Sequence, residues 1–238
     1  MLPVSRISDS FDEVATNRLE HSIDSLYRHR FPPEVLERRA AVWRVLCNSW
    51  FARYIPPNGR VLEIGAGYCE FINHIAAAEK VAIDLNPETR DFAAADVTVH
   101  EICAEQLSAV IAPRTFDTVF MSNFLEHCRT RDQILEILRG SYETLKPGGR
   151  LLILGPNFGV CYKKYFDFFD HHLPLTHYAV AEALQVAGFQ VELLKARTLP
   201  LTFKSRLPAS PVLVKLYLRL PIFWPLFGAQ FFVVGKKV

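Results

Sequence analysis

Val61-Leu-Glu-Ile-Gly-Ala-Gly-Tyr-Cys69 is the stretch on which the reading of this chain turns. It begins apolar, with Val61, Leu62 and Ile64 around Glu63, as in a buried parallel strand. Gly65 and Gly67 follow at once, and Glu70-Phe-Ile-Asn-His-Ile75 then reads as the start of a helix over about Cys69–Ala78. A strand that turns into a helix through glycines builds a small-molecule site. The glycines reach backbone angles closed to other residues and let a ligand approach the main chain. The helix start presents unpaired N–H groups.

Dinucleotide binders place a third glycine at the end of G-x-G-x-x-G, where helix and strand pack closely. Glu70 stands there instead. The stretch resembles the E/D-x-G-x-G-x-G motif of class I S-adenosylmethionine-dependent methyltransferases. Glu63, Gly65 and Gly67 match, and Cys69 replaces the last glycine. The resemblance runs from about Arg60 to the C-terminus. It implies S-adenosylmethionine as cofactor, held by Glu63, Gly65, Ala66, Gly67, Asp84, Leu85, Asn123 and Phe124. It also implies a doubly wound, Rossmann-like α/β fold of seven strands in the order 3-2-1-4-5-7-6. The seventh strand is antiparallel, and helices cover both faces.

The remaining sequence is consistent with that plan. Strands are expected at Arg60–Ile64, Lys80–Asp84, Val97–Glu101, Phe116–Met121, Leu151–Leu154, Phe189–Arg197 and Gln230–Lys236. Asp84 ends the second strand about twenty residues after the glycines, where a carboxylate can accept from both hydroxyls of a ribose. Relatives hold the adenine amino group with an acidic residue just after the third strand; no aspartate sits there, and Glu101, the backbone around Cys103, or merely exposed loop charges stay open as readings. Ser122-Asn-Phe-Leu-Glu-His127 leaves the fourth strand, and Asn123 and Phe124 are expected to face the methionine part of the cofactor. Arg131–Leu145 has helical periodicity and is stopped by Lys146-Pro-Gly-Gly-Arg150. Thr176 caps a helix over Tyr178–Ala187 that Gly188 ends.

Two stretches depart from the common plan. Residues 155–177 leave the fifth strand with many aromatics and three histidines, and are expected to shape the acceptor site. His127, His171 and His172 are the candidates for a general base, because imidazole titrates near neutrality. The spacing of His171, His172 and His177 presents no ligand face, so no metal is expected. Residues 199–229 are far longer than an ordinary connection. They are nearly all apolar, with Lys215 and Arg219 on one helical face. Three readings stay open for this insertion: a buried cap, a homodimer surface, or an interfacial helix touching the membrane through 211–228.

The division expected is an N-terminal helical extension over 1–55, with an amphipathic helix over Glu34–Tyr54, and a methyltransferase domain over 56–238. A helix is also read over Phe11–Tyr27. Half of the 238 residues are apolar and the net charge is +2, which argues against a nucleic-acid partner. Asn-Pro-Pro-Tyr, typical of methylation of base amines, is absent after the fourth strand. The five cysteines form no C-x-x-C pair, which fits a reducing, cytoplasmic setting. The Gly67–His74 and Asp170–His177 runs are similar to a bacterial subgroup associated with surface-glycan or lipid-linked sugar assembly. The acceptor expected is therefore a small molecule or a glycan, methylated on oxygen. The alternatives are an NAD-dependent oxidoreductase, against which the missing glycine counts, and a noncatalytic binding module of the same fold.

Overall fold

The computed structural model describes residues 33–201 and 210–238. The helix read over Phe11–Tyr27 lies outside them. Two compact units divide the chain, Met1–Arg38 and Arg39–Val238; the second carries the sheet. Its strands are β1 (Arg60–Ile64), β2 (Glu79–Asp84), β3 (Val97–Glu101), β4 (Phe116–Ser122), β5 (Leu145–Pro156), β6 (Gln190–Lys195) and β7 (Gln230–Lys236). They form one sheet in the order β3-β2-β1-β4-β5-β7-β6. Pairings from β3 through β5 are parallel, and β7 runs antiparallel to both β5 and β6. The expected order and the reversed seventh strand are both present.

Among the described residues, five helices run eight residues or more: α1 (Pro33–Ser49), α2 (Arg131–Thr144), α3 (Phe158–Tyr165), α4 (His177–Val186) and α5 (Pro211–Arg219). Side-chain alternation along the strands divides the core in two. Leu62, Ile64, Val119, Met121, Leu151 and Ile153 face α2 and α4 on one side. Val61, Phe120, Leu152, Leu154 and Phe232 face Trp43, Leu46, Phe51 and Phe71 on the other. All of Leu151–Leu154 is buried, as a central strand requires. Local chemistry fixes the helix starts. The Thr130 hydroxyl accepts from Gln133 N–H, and Gln133 Oε1 accepts from Arg129 N–H. Thr176 caps α4 by accepting from Ala179 N–H, and Gly188 leaves it at φ +100°.

Three expectations need correction. The helix over Cys69–Ala78 is a run of turns: Asn73 N–H donates to Cys69 O and His74 N–H to Phe71 O. Cys69 sits at φ +55°, outside helical geometry, so no regular helix propagates from it. The fifth strand starts at Leu145, six residues before the expected start, because Leu145 pairs with Phe116 and the Pro-Gly-Gly stretch is absorbed as an irregularity between Phe116 and Thr118. Residues 155–177, whose sequence reads as a loop that shapes the acceptor site, contain α3. Asn157, itself buried, starts it by accepting from Gly159 N–H.

Candidate active site

The glycine turn lies at the carboxyl end of β1, in the crevice between β1 and β4 where an open α/β sheet takes its ligands. Gly65 and Ala66 N–H both donate to Ile83 O, which bends the chain across β2. Gly65 has φ +71°, and a Cβ there would lie 2.4 Å from Phe124 Cδ2. Gly67 has φ +49°, and a Cβ there would meet nothing within 4 Å. The first glycine is required by a neighbour's ring. The second leaves its backbone facing open space.

Two carboxylates hold this turn. Asp84 Oδ2 accepts from Gly67 N–H at 2.7 Å and Oδ1 from Asn86 N–H at 2.8 Å. Each carboxylate oxygen has a second acceptor direction, so Asp84 can still meet a vicinal diol while positioned by two backbone bonds. Glu63 is only 3% exposed, and its Oε2 accepts from Ile72 N–H at 3.0 Å. Burial holds its carboxyl well above the ordinary range, and Glu70 and Asp84 push the same way. Glu63 therefore lies beneath the turn and shapes it from within. Leu85, beside Asp84, leaves an apolar side chain 46% exposed. A carboxylate paired with an exposed apolar side chain beside open backbone suits a nucleoside, which has a diol and a flat apolar face. Glu101, by contrast, is exposed and lies 3.8 Å from Arg90.

Across the crevice, Asn123 takes φ +49° and is exposed, with its N–H bonded to Leu154 O. Phe124 closes on Gly65. The chain then makes a short 3₁₀ turn, Leu125–His127. Here the base candidates separate. His127 Nδ1 lies 2.9 Å from Asp170 O, and the His127 and His171 rings are 5.2 Å apart. His171 is buried against Tyr165 and Phe168. His172 is exposed, and its backbone N–H donates to Glu126 O. His177 stands elsewhere, 3.1 Å from Asn157 Nδ2.

Sequence reasoning passed over Glu126. It is 2% exposed and lies with His127 and His171, one ligand atom of each falling within 4.8 Å of the others. Burial pushes its carboxyl up to about 7, with His127 pulling the other way. The signal available was its place beside His127 in Leu-Glu-His, directly after a strand end.

Comparison with known proteins agrees with this geometry. A family model described as a methyltransferase domain matches residues 62–151. No curated protein matches the sequence. Solved structures do match. An S-adenosylmethionine-dependent methyltransferase of Archaeoglobus fulgidus is 21% identical with a TM-score of 0.61, over 84% of this chain and 94% of that one. One of Thermotoga maritima is 19% identical with a TM-score of 0.62, over 92% and 97%. One of Methanosarcina mazei is 16% identical with a TM-score of 0.57, over 80% and 97%. At these identities the structural likeness is one of fold, and the matched domain adds the chemistry. Residues 62–151 are a methyltransferase domain set in the strand order of the class I fold, and S-adenosylmethionine is the cofactor that this domain implies.

Proposed function

We propose that this enzyme methylates a hydroxyl of a small-molecule or glycan acceptor that is attached to lipid, and that it meets this acceptor at an anionic membrane surface. S-adenosylmethionine supplies a methyl on a sulfonium, which leaves as a neutral sulfide. The protein must align the acceptor oxygen, exclude water and provide for loss of the hydroxyl proton. Glu126 and His127 follow Phe124 in the same turn, and loss of the hydroxyl proton is assigned to their cluster with His171. The exposed rings of Tyr162, Phe166 and Phe169 on residues 155–177 offer flat surfaces for a sugar or another apolar face.

The observation that carries the lipid reading is the outer surface of the insertion. Leu218 is buried against the domain, Tyr217 Oη donates to Thr198 O, and the Trp224 ring packs on Trp50. The opposite side is apolar and open: Val212, Leu213, Leu216, Ile222, Phe223 and Leu226 are each 44% exposed or more. Monomers seldom leave such a patch in water. Residues 195–219 hold six lysines and arginines and no acidic residue, a charge balance suited to anionic headgroups. The insertion joins the carboxyl end of β6 to the start of β7, on the edge that bears the glycine turn. Asn157 ties it to residues 155–177, with its N–H on Ala229 O and Nδ2 on Ala196 O. No helix among the described residues is long and apolar enough to cross a membrane, so the contact proposed is peripheral.

The test is co-sedimentation with vesicles of phosphatidylglycerol and of phosphatidylcholine, followed by an acceptor screen with product analysis. Binding to the anionic vesicles that is lost in Leu216→Asp/Ile222→Asp, and a methyl found on oxygen, support the reading. Protein left in the supernatant with both vesicle types removes the membrane part, and a methyl on nitrogen removes the hydroxyl part.

A further inference from the structure

Glu126, His127 and His171 have a donor set that proton transfer alone does not require. Glu126 Oε1 is buried and accepts no hydrogen bond from the described residues, and a buried acceptor is ordinarily satisfied. His127 Nδ1 faces Asp170, 2.9 Å from its carbonyl oxygen and 3.4 Å from Oδ2. With its proton on Nδ1 and donated there, the ring keeps its lone pair on Nε2. A carbonyl or carboxylate behind an imidazole is what orients a metal-bound histidine and raises its basicity. The three ligand atoms already lie within 4.8 Å of one another. Atoms bound to one ion at about 2.0–2.2 Å stand at most about 4.4 Å apart, so the side chains need draw in only slightly.

Backbone contacts hold the set in place. His172 and Leu173 N–H both donate to Glu126 O, which fixes the 170–173 stretch against the Leu125–His127 turn. The Phe168 ring stacks on His171 at 4.9 Å and Tyr165 lies across it at 4.8 Å. Two imidazoles and one carboxylate, with coordination positions left over, form the donor set of catalytic zinc and of related divalent transition-metal sites.

We propose that Glu126, His127 and His171 bind one divalent transition-metal cation of the zinc class, whose remaining positions take oxygen atoms of the acceptor. The site's part in turnover rests on the hydroxyl reading above. The cation makes the acceptor hydroxyl acidic enough to lose its proton to water near neutral pH. The oxygen then forms its bond to the methyl carbon as the carbon–sulfur bond breaks, and the electron pair leaves with the neutral sulfide.

The test uses full-length, tag-free protein, stripped with chelator and titrated with Zn²⁺ alone and with Co²⁺ alone by calorimetry and visible absorption. Expected is one ion per chain, with cobalt d–d bands and no sulfur-to-cobalt charge transfer. Glu126→Gln and His171→Asn should each weaken binding by tenfold or more, with near-ultraviolet circular dichroism confirming that both variants are folded. Absence of saturable binding, a thiolate band, or unchanged affinity in both folded variants would overturn the site. Metal binding is read without acceptor. A methyl found on nitrogen therefore sinks the hydroxyl reading alone, and an oxygen-methylated product from a protein that binds no metal sinks the site alone.

Discussion

Arg39 closes a two-pronged ion pair on Glu70, Nε to Oε1 at 2.7 Å and Nη2 to Oε2 at 2.5 Å. Glu70 is the position where a dinucleotide binder has its third glycine. Here the turn after β1 is held from outside by a guanidinium on α1. The pair is mostly buried, with side-chain exposures of 22% and 11%. Hydrogen bonds to charged groups contribute about 1.5–3 kcal/mol. Arg39→Ala is expected to lower Tm by several degrees, at about 2–4 °C per kcal/mol for a chain of this size. It should also weaken S-adenosylhomocysteine binding, because the turn it supports loosens. Arg39→Lys should recover only part, since an ammonium cannot match both oxygens at once. Thermal melts and calorimetric titration of both variants check this; equal behaviour of Lys and Ala with wild type would show the pair to be ornamental.

Gly65→Ala places a methyl 2.4 Å from Phe124 Cδ2 at a residue with φ +71°. Either the ring leaves the crevice or the turn shifts, and both alter the cofactor site. The expected result is a folded protein with S-adenosylhomocysteine affinity reduced by tenfold or more. Gly67→Ala meets no neighbour, so its cost is backbone strain, about 1 kcal/mol or somewhat more, together with any clash with bound cofactor. Titration of the two variants side by side separates a steric requirement inside the protein from one imposed by the ligand.

How far the sequence could be read follows from where its signals are local. The strands at Val97–Glu101 and Gln230–Lys236 are bounded as expected: the first alternates valine with polar residues and the second is a run of apolar residues after Gln230. The turn at Gly65 was legible because it depends on a few consecutive residues; the bond from Gly67 N–H to Asp84, 17 positions away, was not. The Cys69–Ala78 turns were not, because Cys69 adopts a left-handed conformation that its side chain does not announce. Glu126 was missed for a different reason. Its partner His171 lies 45 positions away, and only the fold brings them together. The open apolar face of 211–228 was an unresolved choice among three surfaces, since composition does not say which side of a helix packs inward.

Asp84→Ala removes the acceptors of Gly67 and Asn86 N–H. Both are charge-assisted bonds, and the carboxylate is also the expected ribose contact. Loss of about 1.5–3 kcal/mol of binding free energy corresponds to roughly ten- to hundredfold weaker S-adenosylhomocysteine affinity. Asp84→Asn keeps one acceptor oxygen and should fall between. A ligand lacking the ribose hydroxyls divides the effect. If Asp84 acts only through the turn, the variant loses the same factor for deoxy and ribo ligands; if it grips the diol, the wild-type preference for ribose disappears in Asp84→Ala.

Glu63 makes stability depend on pH with a sign that can be worked out. Unfolded, its carboxyl ionises near the ordinary 4.5; folded, burial holds it well above that. Below 4.5 both states are protonated and the group contributes no difference. As pH rises above 4.5 the unfolded chain releases a proton that the folded chain keeps, so the native state binds more protons and stability falls. The fall continues until pH passes the folded value. Glu63→Gln keeps an amide oxygen to accept from Ile72 N–H and removes the ionisation. The variant should match wild type near pH 4 and exceed its Tm by a margin that grows above that pH until the folded carboxyl ionises. Melts across that range check it. A margin independent of pH would mean that the carboxyl ionises alike in both states, and that its burial beneath the glycine turn carries no electrostatic cost.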